Sequence, residues 1–125
     1  MKKTLALIMV AYAFLFLVVG CASEIANERM RMAVEWRQKG DMEEYKYLVT
    51  DAYEADKNNP FALNDMGTIA ESEGRYRTAE RYYKRALENV GNEKVALSDV
   101  KADEGKFLKD VIAENLKNLQ VKIKK

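Results

Sequence analysis

Apolar and aromatic residues recur at steps of three and four over much of this chain. Between Leu63 and Val90 the steps are interrupted only near Gly74, so the residues on each side of that glycine have one apolar helical face. This pattern predicts two antiparallel helices joined by a turn. Gly67 and Ala79 have almost no side chain, and we expect them to face each other where the two helices meet.

The residue types within this hairpin follow a fixed order. The first helix has large, large and small residues, the turn has a glycine and an aromatic residue, and the second helix alternates small and large residues. In chain order these positions are Leu63, Met66, Gly67, Gly74, Tyr76, Ala79, Tyr83, Ala86 and Leu87. From Pro60 to Asn92 the chain therefore resembles a tetratricopeptide repeat, although Gly91 stands where that family usually has proline.

A second copy of the repeat lies earlier in the chain, at the family's usual offset of about 34 residues. The matched pairs are Met32 and Met66, Gly40 and Gly74, Ala52 and Ala86, Glu54 and Glu88, and Asn58 and Asn92. The resemblance thus implies two repeats, at residues 26–59 and 60–93. Tyr45 stands where the family usually has a small residue, so we expect the first hairpin either to open or to shift its contact.

The pattern as a whole predicts an all-α fold, with two tetratricopeptide-like hairpins and a C-terminal packing helix. The hairpin helices are expected at about residues 24–39, 42–56, 61–73 and 76–90. Residues 94–106 are charged with scattered small apolar residues, which is typical of a loop with room for one helical turn. The apolar period returns over residues 107–120, where we expect a helix whose inner face packs on the fourth helix.

The N-terminal residues have the pattern of a targeting segment. Two lysines precede an uninterrupted apolar run from Leu5 to Val19, which is short for a membrane span of about 20 residues and typical of a signal-peptide core. The run ends in the residues Val18 to Cys21, which resemble the processing box of bacterial lipoproteins. That resemblance implies a signal peptide at residues 1–20 and lipid attachment at Cys21. The alternatives are a plain secretory signal, or an N-terminal membrane anchor with an incidental cysteine.

Lipidation at Cys21 has consequences for charge and location. The mature chain would begin there, with residues 21–27 linking the lipid to the first helix. It would carry 19 Lys and Arg, because Lys2 and Lys3 are removed from 21, against 20 Asp and Glu, a formal charge of −1. This balance gives no electrostatic preference for nucleic acid. In the lipoprotein family, Ala22 after the cysteine goes with sorting to the outer membrane. The expected location is therefore the outer membrane of a bacterial envelope, facing the periplasm.

The composition excludes most catalytic chemistry. The chain has no histidine, so it lacks imidazole bases, Ser-His or Cys-His nucleophile pairs and histidine-bound metals. We therefore predict no enzymatic activity, no metal site and no cofactor. Six tyrosines are expected to fill space between helices, with a stacking site for sugars or bases as the alternative. They are Tyr45, Tyr47, Tyr53, Tyr76, Tyr82 and Tyr83.

The tetratricopeptide resemblance also implies a binding groove, because in that family the first helix of each repeat lines the concave face. The residues that match this lining are Asn27, Met30, Arg31, Val34, Arg37, Gln38, Phe61, Asn64, Asp65, Thr68, Glu71 and Ser72. Four polar side chains of this set are expected to be exposed, namely Arg31, Arg37, Asn64 and Thr68. The lysine and asparagine clamp by which some members bind a C-terminal carboxylate is absent, since Met30 and Val34 occupy those places.

Together these features favour a lipid-anchored adaptor for protein–protein interaction. Its partner would be another envelope protein or a peptide segment of one, in a pilus, secretion or outer-membrane assembly machine, as for small lipoproteins of this family. The alternative is a purely structural or self-associating lipoprotein, whose groove is filled by its own C-terminal helix or by a second copy. The sequence leaves open the identity of the partner, the oligomeric state and the choice between inner and outer membrane.

Overall fold

Helices form most of this protein. In the computed structural model the described residues are 1–96, 98 and 100–124, without the side chains at positions 2, 3, 6 and 13–19. The helices are α1 (Lys2–Gln38), α2 (Met42–Ala55), α3 (Pro60–Ser72), α4 (Tyr76–Asn89) and α5 (Leu108–Ile123), with one 3-10 turn at Lys101–Asp103. This part of the chain contains no β-strand, which confirms the predicted all-α class.

Two helical hairpins form the body of the fold: hairpin 1 is α1 with α2, and hairpin 2 is α3 with α4. Gly40 and Gly74 in their turns have φ angles of 83° and 73°, a left-handed conformation that glycine adopts readily because it has no Cβ. In hairpin 1 the N–H groups of Gly40 and Asp41 donate to the carbonyls of Arg37 and Trp36. Hairpin 2 has the same two bonds 34 residues later, so both turns lie where the sequence predicts them.

Local side chains fix where α2 and α3 begin. The Asp41 carboxylate accepts the Glu44 N–H at 3.1 Å before α2, and the Asn59 side-chain oxygen accepts the Ala62 N–H at 3.0 Å before α3. Pro60 opens α3, a position where its missing N–H leaves no helical hydrogen bond unmade. Helices α2, α3 and α4 begin and end within one residue of their predicted limits.

The apolar helix faces form two clusters of buried side chains, and α3 contributes to both. Ala62 and Ile69 join the cluster of hairpin 1, whereas Leu63 and Ala70 join the cluster that hairpin 2 shares with α5. Helix α5 packs mainly on α4, as predicted. Its buried contributions are Leu108, Val111, Ile112 and Leu119. Helix α3 is therefore the central element of the fold.

The close contact at Gly67 involves a different residue from the predicted one. The first atoms that a Cβ at Gly67 would meet belong to the Tyr83 ring, with Cε1 at 2.5 Å, and not to Ala79. Ala79 is fully buried but lies about one helical turn before Tyr83 on α4. The missing side chain of Gly67 thus makes room for an aromatic ring on the facing helix.

The large ring of Tyr45 is fully accommodated in hairpin 1. It is 1% exposed and belongs to the same cluster as Ala33 and Val49, both of which are completely buried. Of the two predicted outcomes for this ring, the hairpin therefore shifts its contact and does not open.

Helix α1 is longer than predicted. It begins at Lys2 and not near Glu24, so the linker expected at residues 21–27 is helical. Residues 2–38 contain no proline and a single glycine, so nothing in the sequence ends the helix locally. Among the described side chains at positions 5–12, the large apolar ones are 54% to 70% exposed. No helix within the described residues combines the length and apolar character needed to cross a membrane.

The predicted loop at residues 94–106 is held together at its two ends. Lys94 and Phe107 form an isolated antiparallel bridge, and the Leu108 N–H donates to the Glu93 carbonyl at 2.8 Å. The 3-10 turn lies within this loop, where the sequence leaves room for one turn of helix. Positions 97 and 99 of the loop lie outside the described residues.

Candidate functional site

A cavity of about 340 Å³ opens between the first helices of the two hairpins. Helices α1 and α3 form two of its sides, and the C-terminal segment, defined here as residues 94–124, forms the third. The lining residues are Asn27, Met30, Arg31, Val34, Arg37, Phe61, Asn64, Asp65, Thr68, Lys94, Val95, Ala96, Ser98, Val100, Asp103, Leu108, Val111 and Asn115. We refer to this space as the groove cavity.

Most of the residues predicted to line a groove do line this cavity. The nine that do are Asn27, Met30, Arg31, Val34, Arg37, Phe61, Asn64, Asp65 and Thr68. Gln38, Glu71 and Ser72 instead form hydrogen bonds within the fold. The Gln38 amide donates to the Ser98 carbonyl at 3.0 Å, and the Ser72 hydroxyl donates to a carbonyl of its own helix. Glu71 accepts the Tyr83 hydroxyl at 2.9 Å.

The third side of the cavity is anticipated only in part by the sequence. It comprises Lys94, Val95, Ala96, Ser98, Val100, Asp103, Leu108, Val111 and Asn115. Leu108 and Val111 belong to a helical apolar period, which assigns them to the contact with α4 or, in the alternative interpretation, to a C-terminal helix that fills the groove. The loop residues have no period, so no signal in the sequence brings them next to α1.

Apolar side chains form the inner walls. Met30, Leu108 and Val111 are at most 8% exposed and belong to the two core clusters, so the cavity is continuous with the core of the protein. Val34 differs from them. It is half-buried, lines the cavity and is a member of neither cluster. Val34 is therefore a wall residue that lies outside the two core clusters.

The expectation that four polar lining residues are exposed is wrong for three of them. Arg31 is exposed, but Arg37 and Thr68 are half-buried and Asn64 is only 8% exposed. Helix α5 covers Asn64, whose side-chain oxygen accepts the Asn115 amide at 3.0 Å. Buried amides need such partners, since an unpaired buried polar group is costly. Asn64 and Asn115 together connect α3 to α5 at the edge of the cavity.

The hydroxyl of Tyr45, on α2, lies among polar groups of α1 and α3. Arg37 of α1 donates to it at 3.0 Å, and its guanidinium lies 4.9 Å from the centre of the Tyr45 ring. Asp65 of α3 also hydrogen-bonds to this α2 side chain. Burial, and then the Asp65 carboxylate, raise the pKa of the Tyr45 phenol above its ordinary value. The two charged wall residues Arg37 and Asp65 are thus held by one buried hydroxyl.

On the α1 side, Arg31 is held by two carboxylates of its own helix. Its guanidinium lies 2.6 Å from Glu28 and 3.3 Å from Glu35. The hydrogen bond from Arg31 holds the pKa of the Glu28 carboxyl below its ordinary value. Arg31 therefore reaches the cavity rim with its charge already balanced.

On the loop side, one charge is paired with an opposite charge and another lies over an aromatic ring. The Lys106 ammonium lies 2.9 Å from the Asp103 carboxylate, and the Lys94 ammonium lies 5.0 Å from the centre of the Phe107 ring. The hydrogen bond to Asp103 raises the pKa of Lys106 above its ordinary value. Each charged residue at the cavity is thus engaged within the described part of the chain.

Acidic side chains are potential metal ligands, and tyrosine rings are potential stacking surfaces. Among the described residues, no group of acidic or cysteine side chains is arranged to hold a metal ion. None of the six tyrosines lines the cavity. Tyr45 and Tyr83 are buried, and the rings of Tyr53 and Tyr82 pack edge to face with their centres 5.7 Å apart. These four rings therefore contribute mainly to packing.

Cys21 lies outside the packed region. It is a free, exposed cysteine on α1, and the first fully buried residue after it is Ala26. The residues whose exposure is described before it, including Gly20, are exposed.

The chain matches no protein-family model, no curated protein and no solved structure. The groove cavity and the surroundings of Cys21 are accordingly interpreted from their own geometry and chemistry.

Proposed function

We propose that this protein is a lipid-anchored adaptor of the bacterial envelope, which binds a segment of another envelope protein in the groove cavity. The observation that carries the proposal is the cavity itself. It lies between the first helices of the two hairpins, has apolar walls, and reaches the surface beside Arg31 and Val100. Concave apolar sites with a few polar groups are where proteins usually bind ligands.

The equivalence of the two hairpins supports a tetratricopeptide-like character. Gly40 and Gly74 have the same left-handed turn, and Ala52 and Ala86 are both fully buried. Each pair is separated by 34 residues. Two stacked repeats present their first helices side by side, which creates a groove between them.

The exposure of the N-terminal part of α1 supports lipid attachment at Cys21. Cleavage before Cys21 would remove exposed apolar side chains such as Leu5 and Leu7, and none of the residues in the two core clusters. Exposed apolar surface of this kind is unfavourable in water, so we expect this segment to be embedded in a membrane or cleaved off. Sorting to the outer membrane is part of the same proposal and rests on Ala22.

Helical geometry would then place the binding site close to the lipid. Asn27 follows Cys21 by six residues and Arg37 follows it by sixteen. At a rise of 1.5 Å per residue, the cavity extends from about 9 Å to about 24 Å from the attachment point along α1. A partner in the groove cavity would therefore be held near the membrane surface.

The anchor is tested by labelling with a clickable fatty acid. Cys21→Ser should abolish labelling and leave an uncleaved precursor, whereas the neighbouring change Ser23→Ala should leave both labelling and processing unchanged. Fractionation of the two membranes then checks the location. Equal labelling of Cys21→Ser and the parent would end the lipoprotein part of the proposal.

The adaptor role is tested by photo-crosslinking in intact cells. A photoreactive phenylalanine analogue replaces Val34 in the cavity wall or, as a control, Lys117 on the exposed side of α5. We expect an envelope protein to be crosslinked from position 34 and not from position 117. No product from position 34, with the protein folded and lipidated, would contradict binding in the cavity.

A second candidate is a purely structural lipoprotein, and one observation favours it. The C-terminal segment already closes one side of the groove, through the bonds from Gln38 to Ser98 and from Asn115 to Asn64. In that case position 34 would crosslink within the chain or to a second copy. The mass of the product distinguishes this outcome from an adaptor.

A further inference from the structure

The balance of charges around the groove cavity restricts what can occupy it. Arg31 is paired with Glu28 and Glu35, while Arg37 and Asp65 meet at the Tyr45 hydroxyl. A charged ligand group entering the cavity would have to give up water, and the charges nearest to it are already engaged. Burial of a charge without a new partner is strongly unfavourable.

The size of the cavity sets a second limit. Its volume of about 340 Å³ is close to the lower end of the range for ligand pockets, which is about 300–1,000 Å³. A whole helix does not fit such a space. One or two side chains do, with the rest of the partner lying across the rim.

The walls meet such side chains with apolar surface at the centre and amides at the edge. Val34, Phe61 and Val111 supply apolar surface from three different helices. Asn115 uses its amide nitrogen to bond Asn64, and its side-chain oxygen is an acceptor suited to a backbone N–H of a partner. Apolar anchors with a polar rim are the usual arrangement at the centre of a protein–peptide contact.

We infer that the groove cavity takes an uncharged apolar side chain, of the size of leucine, from a peptide segment of the partner protein. This inference rests on the proposed function and specifies the chemistry of its ligand. The observations behind it are the charges already engaged within the fold, the apolar wall from three helices and the limited volume.

Small blocked amino acids test the inference directly. The full lipidated chain is reconstituted in lipid nanodiscs with isotope-labelled valine and leucine methyl groups, and is titrated with N-acetyl-leucinamide, N-acetyl-lysinamide and N-acetyl-glutamic acid amide. We expect the leucine probe to shift the methyl signals of Val34 and Val111 in a saturable way. The two charged probes should bind at least about tenfold more weakly, because their charge would be desolvated without a partner.

Substitutions in the wall connect these signals to the cavity. Val34→Asp should weaken binding of the leucine probe about tenfold or more, by placing a charge where the anchor sits. Ile25→Asp is the matched control, since Ile25 is 51% exposed on the same helix and does not line the cavity. Val34→Thr keeps the shape of the side chain, and should weaken binding by a smaller factor even if Val34→Asp fails to fold.

Three results would overturn the inference. The first is a preference for the lysine or glutamic acid probe, and the second is no shift at Val34 and Val111 with any probe. The third is methyl shifts that follow protein concentration alone, because a second copy would then be the occupant. If photo-crosslinking from position 34 captures a partner but the leucine probe does not bind, only the anchor chemistry fails. Binding of the probe without any crosslinked partner would instead count against the adaptor role.

Discussion

The two hairpins share the same turn but place their large aromatic ring one helical turn apart. In hairpin 1 the ring is Tyr45 and in hairpin 2 it is Tyr83. The residue 34 positions after Tyr45 is Ala79, and the residue 34 positions before Tyr83 is Val49. All four are buried, so each hairpin fills the same kind of space with one large and one smaller residue in opposite order.

The residue on the facing helix changes together with the position of the ring. Gly67 on α3 faces the Tyr83 ring, which would lie 2.5 Å from a Cβ at that position. The equivalent of Gly67 in hairpin 1 is Ala33, and the equivalent of Tyr83 is Val49. A glycine is thus required only in the hairpin whose ring crosses at that position.

The hydroxyl groups of the two tyrosines have equivalent partners, although their rings start from different positions on the second helix. Arg37 donates to the Tyr45 hydroxyl, and the Tyr83 hydroxyl donates to Glu71. Positions 37 and 71 are 34 residues apart, so the same place on the first helix binds the phenol in both hairpins, with opposite charge. The comparison shows that two buried tyrosines can bind the same position of the facing helix through their hydroxyl groups, even when they lie one helical turn apart on their own helix.

Deletion of either ring should produce the largest effect and tests whether the two hairpins depend on them equally. Tyr45→Ala and Tyr83→Ala should each lower the free energy of unfolding by about 3–5 kcal/mol, because a large buried side chain leaves a cavity. Urea unfolding followed by circular dichroism measures this. Tyr47→Ala is the control: its side chain is 64% exposed, and the expected change is within about 0.5 kcal/mol. A Tyr45→Ala variant as stable as the control would mean that hairpin 1 does not depend on its ring.

Substitution of Gly67 tests the coupling between ring and facing residue. Gly67→Ala should destabilise the protein by about 1–3 kcal/mol, because the new methyl group would overlap the Tyr83 ring. Gly67→Ala combined with Tyr83→Val reproduces the Ala33–Val49 pair of hairpin 1. In the Tyr83→Val background, Gly67→Ala should therefore cause no further loss of stability. Ala33→Gly is the reciprocal control, with an expected loss of about 1 kcal/mol from helix propensity. Equal losses of stability from Gly67→Ala with and without Tyr83→Val would show that the cost does not come from the Tyr83 ring.

Alkaline pH tests the burial of the two phenols. Burial raises the pKa of both Tyr45 and Tyr83 in the folded protein, above the unfolded value of about 10. The unfolded state therefore loses these protons first. Stability is fully present below that pH and declines as the pH rises towards the folded values, by about 1.4 kcal/mol per pH unit for each phenol. Tyr45→Phe and Tyr83→Phe should each remove one such contribution to the slope of unfolding free energy above pH 10. A slope unchanged in both variants would contradict burial of the ionisable hydroxyls.

Helix caps should give the smallest effects, and they differ between the hairpins. Asp41 caps α2, whereas Arg75 at the same place before α4 makes no side-chain cap. Asp41→Ala should cost about 1 kcal/mol, and Arg75→Ser should stabilise by roughly 0.5 kcal/mol if it supplies the missing cap. Thermal unfolding of both variants measures the difference. A loss of stability in Arg75→Ser would show that its ion pair with Glu73 matters more than a cap.

The sequence predicts best what local periodicity determines. Three helices, both glycine turns and the packing of α5 on α4 follow from apolar steps of three and four, and the structure agrees with them. The repeat alignment places nine residues at the cavity for the same reason, since equivalent positions on α1 and α3 face the same way.

Contacts between distant parts of the chain could not be predicted in this way. Gln38 and Ser98 are 60 residues apart and meet because the ends of an aperiodic loop are held together at the bridge between Lys94 and Phe107. The burial of Asn64 likewise depends on α5, which no pattern near Asn64 reveals. Helix α1 was expected to start near Glu24 because the N-terminal residues resemble a targeting segment, although their helix propensity favours one continuous helix.

The two core clusters are completed at different moments of synthesis. The cluster of hairpin 1 contains no residue beyond Ile69, whereas the cluster of hairpin 2 includes Ile112 and Leu119. As the chain leaves the ribosome, the cluster of hairpin 1 can therefore be complete while the cluster of hairpin 2 still lacks the side chains of α5. If synthesis is delayed before α5 has emerged, the apolar face of α4 would be exposed, which makes this the stage most prone to aggregation.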